Sequence, residues 1–328
     1  MLENLIRDKV ASLFESGEIS RAILWKNGEF SYDKTPYVAE SKEDLKDFSY
    51  DEFAAGSLVK YLISESKREG KVLVILKPCD IYAYNRLASE HRINPDNIYV
   101  LGVNCCGKAD VDKIRTKDVK GITGIETDGK KVTVKTIYGD KEFAFSDVAL
   151  DKCHFCKTRE FPEGIETIGE VLPLSFEAKE DNYDDVSEIE KMSADERFAF
   201  FREQLSKCIR CNACRNICPA CTCERCVFDN DASGISSKAN ADDFEENMFH
   251  IIRAFHVAGR CVDCRECSRV CPENIPLHLL NRKFIKDINE LYGEYQAGET
   301  LENRSPLTNF TKEDAEPSVI YERNGGEN

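Results

Sequence analysis

Cys208-Ile209-Arg210-Cys211-Asn212-Ala213-Cys214-Arg215-Asn216-Ile217-Cys218-Pro219 is answered later in the chain by Cys261-Val262-Asp263-Cys264-Arg265-Glu266-Cys267-Ser268-Arg269-Val270-Cys271-Pro272. Both runs read Cys-x2-Cys-x2-Cys-x3-Cys-Pro, the spacing that holds two 4Fe-4S clusters side by side. Three thiolates of one tight turn wrap one cubane, and the fourth cysteine, beyond the turn, reaches the other. The spacing therefore predicts one cluster on Cys208, Cys211, Cys214 and Cys271, and a second on Cys261, Cys264, Cys267 and Cys218. Structural zinc is the competing reading, but two identical four-cysteine runs with trailing prolines fit zinc spacings poorly. Forty-two residues separate Cys218 from Cys261, and they include Met248, Ile251, Ile252 and Phe255 on one helical face. Leu277, Leu280, Phe284, Ile288 and Leu291 form another face that ends at Gly293. These two faces place the clusters in a mainly α-helical domain.

Working outward, the cysteines divide the chain: of 16 in 328 residues, five precede residue 200 and eleven lie between Cys208 and Cys271. Two domains follow. With 41% hydrophobic and 32% charged residues the chain can bury a core, which excludes disorder along most of its length. The net charge of -15 disfavours a phosphate-binding surface and speaks against nucleic acid as a partner. The apolar stretches, such as Val72 to Leu76, are too short to cross a bilayer, so no membrane insertion is expected. Met1 to Ser12 mixes Glu3, Arg7, Asp8 and Lys9 among its apolar residues, unlike a targeting segment. Metal-ligand spacing in place of a disulfide framework implies a reducing, anaerobic cytoplasm.

In the first domain Leu2, Leu5, Ile6, Val10, Leu13 and Phe14 predict a short amphipathic helix. Strands at 22–25, 71–76 and 98–103 alternate with helices at 50–66 and 81–91, the pattern of a parallel α/β sheet. From Gly121 to Val148 the runs become short and β-rich, with Asp128-Gly129 and Gly139-Asp140 as turns, predicting a β-meander. The acidic stretch from Glu177 to Glu190 has little to bury and marks the boundary. Ser193 and Glu196 then suit a capping box for a helix through Lys207. The domains are read as 1–190, α/β; 191–293, helical with two clusters; and 294–328, a polar tail.

Cys79 and Cys105 follow two neighbouring predicted strands directly, at the carboxyl ends where open α/β sheets bind ligands. Cys153-x2-Cys156 adds two thiols after the meander, and Cys79, Cys105, Cys153 and Cys156 together can close a third 4Fe-4S cluster. Buried unreactive thiols are the alternative. Cys106, Cys221, Cys223 and Cys226 remain; Cys221-x-Cys223-x2-Cys226 allows a fourth cluster completed by Cys106, or a zinc site, or else free thiols. His154, His250, His256 and His278 lack zinc spacing and receive no catalytic role, and no catalytic residue is assigned.

Lys77-Pro78-Cys79-Asp80-Ile81 resembles the Pro-Cys-Gln-Ile turn of the β subunits of deazaflavin-coenzyme-reducing hydrogenases and formate dehydrogenases of methanogens. Leu101-Gly102-Val103-Asn104-Cys105 resembles that family's Gly-Leu-Phe-Cys segment, and Cys153-His154-Phe155-Cys156 its Cys-Arg-x-Cys. The likeness spans roughly residues 10 to 175, and with the ferredoxin-like domain behind it the chain resembles the fused form found with heterodisulfide-reductase-like proteins. The resemblance implies an iron–sulfur flavoprotein with FAD beside its cluster, which places Gly56, Ser57 and Lys77 as cofactor-binding residues. It implies an electron-transfer oxidoreductase subunit whose partners are hydrogenase, formate dehydrogenase or heterodisulfide-reductase-like subunits. A flavin-free electron relay and docking subunit is the alternative. Leu301, Pro306, Leu307, Phe310, Val319, Ile320 and Tyr321 then make the tail a partner-docking segment.

Overall fold

A computed structural model describes residues 2–171, 173–174, 176–230 and 243–309. The first helix, α1 (Leu2–Glu15), buries Ile6, Val10 and Leu13 along one stripe against the sheet. Five strands form that sheet: β1 (Arg21–Asn27), β2 (Lys34–Ala39), β3 (Val72–Leu76), β4 (Ile98–Val103) and, far along the chain, β8 (Glu166–Ile168), in the order β2-β1-β3-β4-β8. β1, β3, β4 and β8 run parallel, and β2 closes one edge antiparallel to β1. β3, Val-Leu-Val-Ile-Leu, is buried at every position, as a central parallel strand covered on both faces must be. β2 carries Pro36, which an edge strand tolerates.

The helix expected over 50–66 does not form. Only α2 (Leu62–Glu65), preceded by a single 3-10 turn at Val59–Tyr61, is helical there. Tyr50, Ala54, Leu58 and Leu62 recur every four residues and are buried in the main core, which imitates a helical stripe. Phe53, however, enters a second core, and the Asp51 carboxylate accepts the Phe53 N–H at 2.9 Å to make a turn. The loop is pulled between two cores. β2, β8 and α4 (Val111–Thr116) are not legible as periodic segments, being short or interrupted. The other expected elements are present: α3 (Ile81–Ser89) between β3 and β4, and the antiparallel meander β5 (Ile122–Thr127), β6 (Lys131–Thr136) and β7 (Lys141–Ala144). Two single-turn helices, α5 (Phe145–Val148) and α6 (Asp151–His154), lead from the meander back toward the sheet.

The C-terminal half is helical: α7 (Asp184–Glu190), α8 (Ala194–Leu205), α9 (Ala213–Ile217), α10 (Asp243–Val257), α11 (Glu266–Arg269) and α12 (His278–Tyr292). Ser193 and Glu196 do close the capping box of α8, with bonds of 2.8 and 3.3 Å. α7 packs on α12, where Asp185 meets Arg282 at 2.9 Å. From 294 to 309 the chain returns to the α/β half: Ala297 joins the main core, and Asn85 donates to the Gly298 carbonyl at 3.0 Å. Gly298 has φ +75°, and a methyl group there would overlap the carbonyl of Tyr82, so only glycine fits. Phe310, Val319, Ile320 and Tyr321 of the expected docking tail lie outside the described residues, as does 231–242 of the acidic insertion.

Candidate iron–sulfur centres

The two cysteine loops share one backbone. In the first, Arg210 and Asn212 have φ of 54° and 60°; in the second, Asp263 and Arg265, at matching positions, have 58° and 56°. Two left-handed residues fold each loop back, and α9 or α11, which carries the third cysteine, starts directly after the second of them. Cys208, Cys211, Cys214 and Cys271 line one cavity with Phe249, His250 and Ile275, so the trailing cysteine of the second run joins the first. Reciprocally, Cys218 is a neighbour of Cys261, Cys264 and Cys267, and its charge helps to raise each of those thiols. The first crossed set expected from spacing thus shares one cavity, and Cys218 lies near the three thiols of the second loop.

A second cavity, at the carboxyl ends of β3 and β4, is lined by Cys79, Cys105, Cys153 and Cys156. Its far wall belongs to the helical half: Ile217, Pro219, Asp263 and Cys264. Burial pushes the Cys79 thiol far above its ordinary range and Cys153 up to about 11. Thiols so crowded and dry become ligands by exchanging their protons for metal cations, which fits this donor set to a thiolate-held cluster. Cys106 is not in the cavity wall; it lies beside Cys105 and Lys108, while Cys221, Cys223 and Cys226 share a third cavity that Cys106 does not line.

Comparison with known proteins matches the same two regions. Residues 69–162 match the family model for the C-terminal part of the beta subunits of coenzyme F420 hydrogenases and dehydrogenases, and residues 204–275 match the 4Fe-4S dicluster domain. The chain joins an F420 hydrogenase/dehydrogenase beta-subunit domain to a 4Fe-4S dicluster domain. It is 22% identical over 338 aligned residues to the beta subunit of the F420-dependent formate dehydrogenase of Methanocaldococcus jannaschii, covering 86% of this chain and 88% of that one. A second relative, the beta subunit of F420-dependent formate dehydrogenase 1 of Methanococcus maripaludis, is 27% identical over 306 residues, covering 75% and 78%. A chain of the F420-reducing NiFe hydrogenase complex from Methanosarcina barkeri superposes with a TM-score of 0.36 at 19% identity, covering 46% of this chain and 58% of that one.

In the beta-subunit domain, Ser57 and Lys77 line the cavity of the four thiols. The Lys77 ammonium, however, is held by the Gly56 carbonyl at 2.7 Å and the Asp80 carboxylate at 2.8 Å. Gly56 lies in the loop, not at a helix start, and a side chain there would press on Trp25 at 3.0 Å and on Arg269 at 3.2 Å. Close packing explains this glycine. Of the three residues expected at a flavin, Ser57 and Lys77 therefore face the cavity, while Gly56 is engaged in packing and in holding Lys77.

Lys152 carries no signal in the sequence, since a lysine beside Cys153 belongs to no motif. It is largely covered in the wall between the two domains, 2.9 Å from Glu266 of the dicluster domain. Burial pulls its ammonium down, but Glu266, Cys79, Asp80 and Cys264 together hold it well above its ordinary value. A cation is thereby fixed between the thiols of one domain and those of the other. Among the described residues no helix is long and apolar enough to cross a membrane.

Proposed function

We propose that this chain is an iron–sulfur electron-transfer subunit of a formate dehydrogenase or hydrogenase-like complex, with one 4Fe-4S centre in its beta-subunit domain and two in its dicluster domain. The observation that carries this reading is the shared cavity: Cys79, Cys105, Cys153 and Cys156 form one side and Cys264 of the second dicluster set the other. Centres held by these thiols are neighbours across the domain junction, so an electron entering either domain has a short route to the other. Clusters supply one-electron chemistry; the chain supplies their spacing, their dryness and the largely covered cation Lys152 between them. The relatives named above are beta subunits of F420-dependent enzymes, which supports a partner of that class, in a reducing compartment.

Flavin is left out of this reading, because the Lys77 ammonium is already held by the Gly56 carbonyl and the Asp80 carboxylate. The flavin-free relay is the form the geometry favours. Anaerobic purification with iron, sulfide and acid-released flavin measured together tests both statements. Cys79→Ser should remove about four irons per chain and leave the dicluster signals in electron paramagnetic resonance. Equal iron in parent and variant would overturn the beta-domain centre, and one flavin per chain would overturn the flavin-free relay.

A further inference from the structure

A cavity on the helical side of the junction is lined by Cys221, Cys223 and Cys226, and around them a chain of net charge -15 gathers Lys60, Lys67, Arg92, Arg215, Arg253 and Arg260. Some of this charge is answered: Arg215 pairs with Asp229 at 2.7 Å and Arg260 with Glu90. Three of the cations are not. Among the described residues Lys60 donates only to backbone carbonyls, those of Cys218, at 2.9 Å, and Cys221. Arg92 has Glu224 only at 4.0 Å, and its Nε has no partner among the described residues. Arg253, 5% exposed, donates to the Cys214 carbonyl at 3.1 Å; it has no carboxylate partner among the described residues, and the anions beside it are the thiolates of both the dicluster sets, Cys218, Cys267 and Cys214, and of Cys221. Buried or half-buried cations without carboxylates call for an anionic occupant. The donors at hand to build one are three thiols, which become anionic on binding metal.

We propose that Cys221, Cys223 and Cys226 hold a further 4Fe-4S centre with three protein thiolates, at the solvent-facing end of the dicluster domain. Its position follows from a turn. The Cys221 N–H donates to the Cys218 carbonyl at 3.1 Å, so the two residues are one tight turn apart. Cys218 belongs to the second dicluster set, so the proposal rests on that assignment. Pro219 faces the beta-domain cavity and Ala220 faces this one, so residues 218–221 form the partition between the two. Cys223 is exposed. A centre here is therefore adjacent to the internal relay on one side and open to a partner or small anion on the other, and it serves as the port through which electrons enter or leave. The basic wall draws that anionic partner and offsets the negative charge of the thiolate-bound centre.

The test compares the full parent chain with Cys223→Ser/Cys226→Ser, both purified anaerobically. The variant should lose about four irons and four sulfides while retaining about twelve irons and the signals of the other centres. In the parent, Cys223 should resist iodoacetamide until iron is chelated, a readout that does not depend on the variant folding. Unchanged iron together with immediate alkylation of exposed Cys223 overturns the proposal, as does one zinc per chain in place of the four irons. Iron left in the variant reports separately on the three-centre reading: a loss of four from a total near twelve would keep this centre and remove one of the other three.

Discussion

The two cysteine loops have the same backbone but different surroundings. Before the second cysteine of the first loop stands Arg210, held by Glu246 of α10 at 2.8 Å; at the same place in the second loop stands Asp263, held by Arg282 of α12 and by Lys157 at 3.2 Å. Before the third cysteine, Ala213 is matched by Glu266, which is bridged to Lys152 at 2.9 Å and to Arg269 at 2.7 Å. The left-handed residues and the cysteine spacing make the metal-ligand loop; the charges decide what the loop is fastened to. The first loop is fastened within its own helical domain, and the second is fastened to the beta-subunit domain through Lys152 and Lys157.

The comparison breaks most sharply at Glu266. Glu266→Gln keeps the volume but leaves Lys152 and the partly exposed Arg269 facing a neutral partner, a change of about 3 kcal/mol. It should loosen the domain junction and the second dicluster centre before the first, as read by urea unfolding and by which resonance signal is lost first. Burial pushes the Glu266 carboxyl up, but Lys152 and Arg269 overrule it and hold the group down to about 2, against 4.5 in the unfolded chain. Since the folded value is depressed, the stabilisation is fully present above pH 4.5 and is lost as pH falls toward 2. The gap in unfolding free energy between parent and variant should therefore be constant from about pH 7 to about 5 and close below that.

A smaller effect is expected at Gly298, since the second loop is also clamped by the segment after α12. Tyr295 donates to the Gly259 carbonyl at 2.9 Å, and Lys157 donates to Gln296 at 2.8 Å. Gly298→Ala meets both a left-handed backbone and the Tyr82 carbonyl, and should cost about 2 kcal/mol. Thermal unfolding measures it. The second centre should become more labile to oxygen while the first is unaffected; equal lability of both would show that the clamp serves the whole domain.

Sequence makes the dicluster domain legible because its ligands are local: six cysteines lie in two seven-residue loops, and spacing alone dictates geometry. The beta-domain set is readable in part, since Cys79 and Cys105 end neighbouring strands whose parallel pairing follows from alternation of strand and helix. Its facing wall is not readable. Lys152, Glu266 and Cys264 are brought together across more than 100 residues, and no periodicity encodes that approach. The false helix over 50–66 has the converse cause: a four-residue apolar spacing comes from a loop that feeds two cores rather than from one helical face. Gly56 is misleading for the same reason, because a glycine needed for close packing on Trp25 looks in sequence like a glycine that opens a helix.

The finest distinction between the loops concerns potential rather than stability. His250, 2% exposed, lines the first cavity with its four cysteines, and its ring lies within 4.8 Å of the Cys208 sulfur and the Glu246 carboxylate. Neither ring nitrogen has a partner among the described residues. Burial, with Arg253 and Arg210 nearby, pulls the imidazole down to about 3, so it stays neutral and keeps one N–H to donate. Glu246 Oε2, itself without a hydrogen-bond partner among the described residues, and the sulfur atoms of this cavity are the acceptors beside it. A donor to cluster sulfur favours the more negative, reduced state and raises the reduction potential. His250→Leu should therefore lower the potential of the first centre and leave the second, which has no histidine in the matching place, where it was. A redox titration followed by electron paramagnetic resonance resolves the two. Equal shifts in both centres would mean that His250 acts through packing of α10, and no shift in either would remove it from the tuning of the first loop.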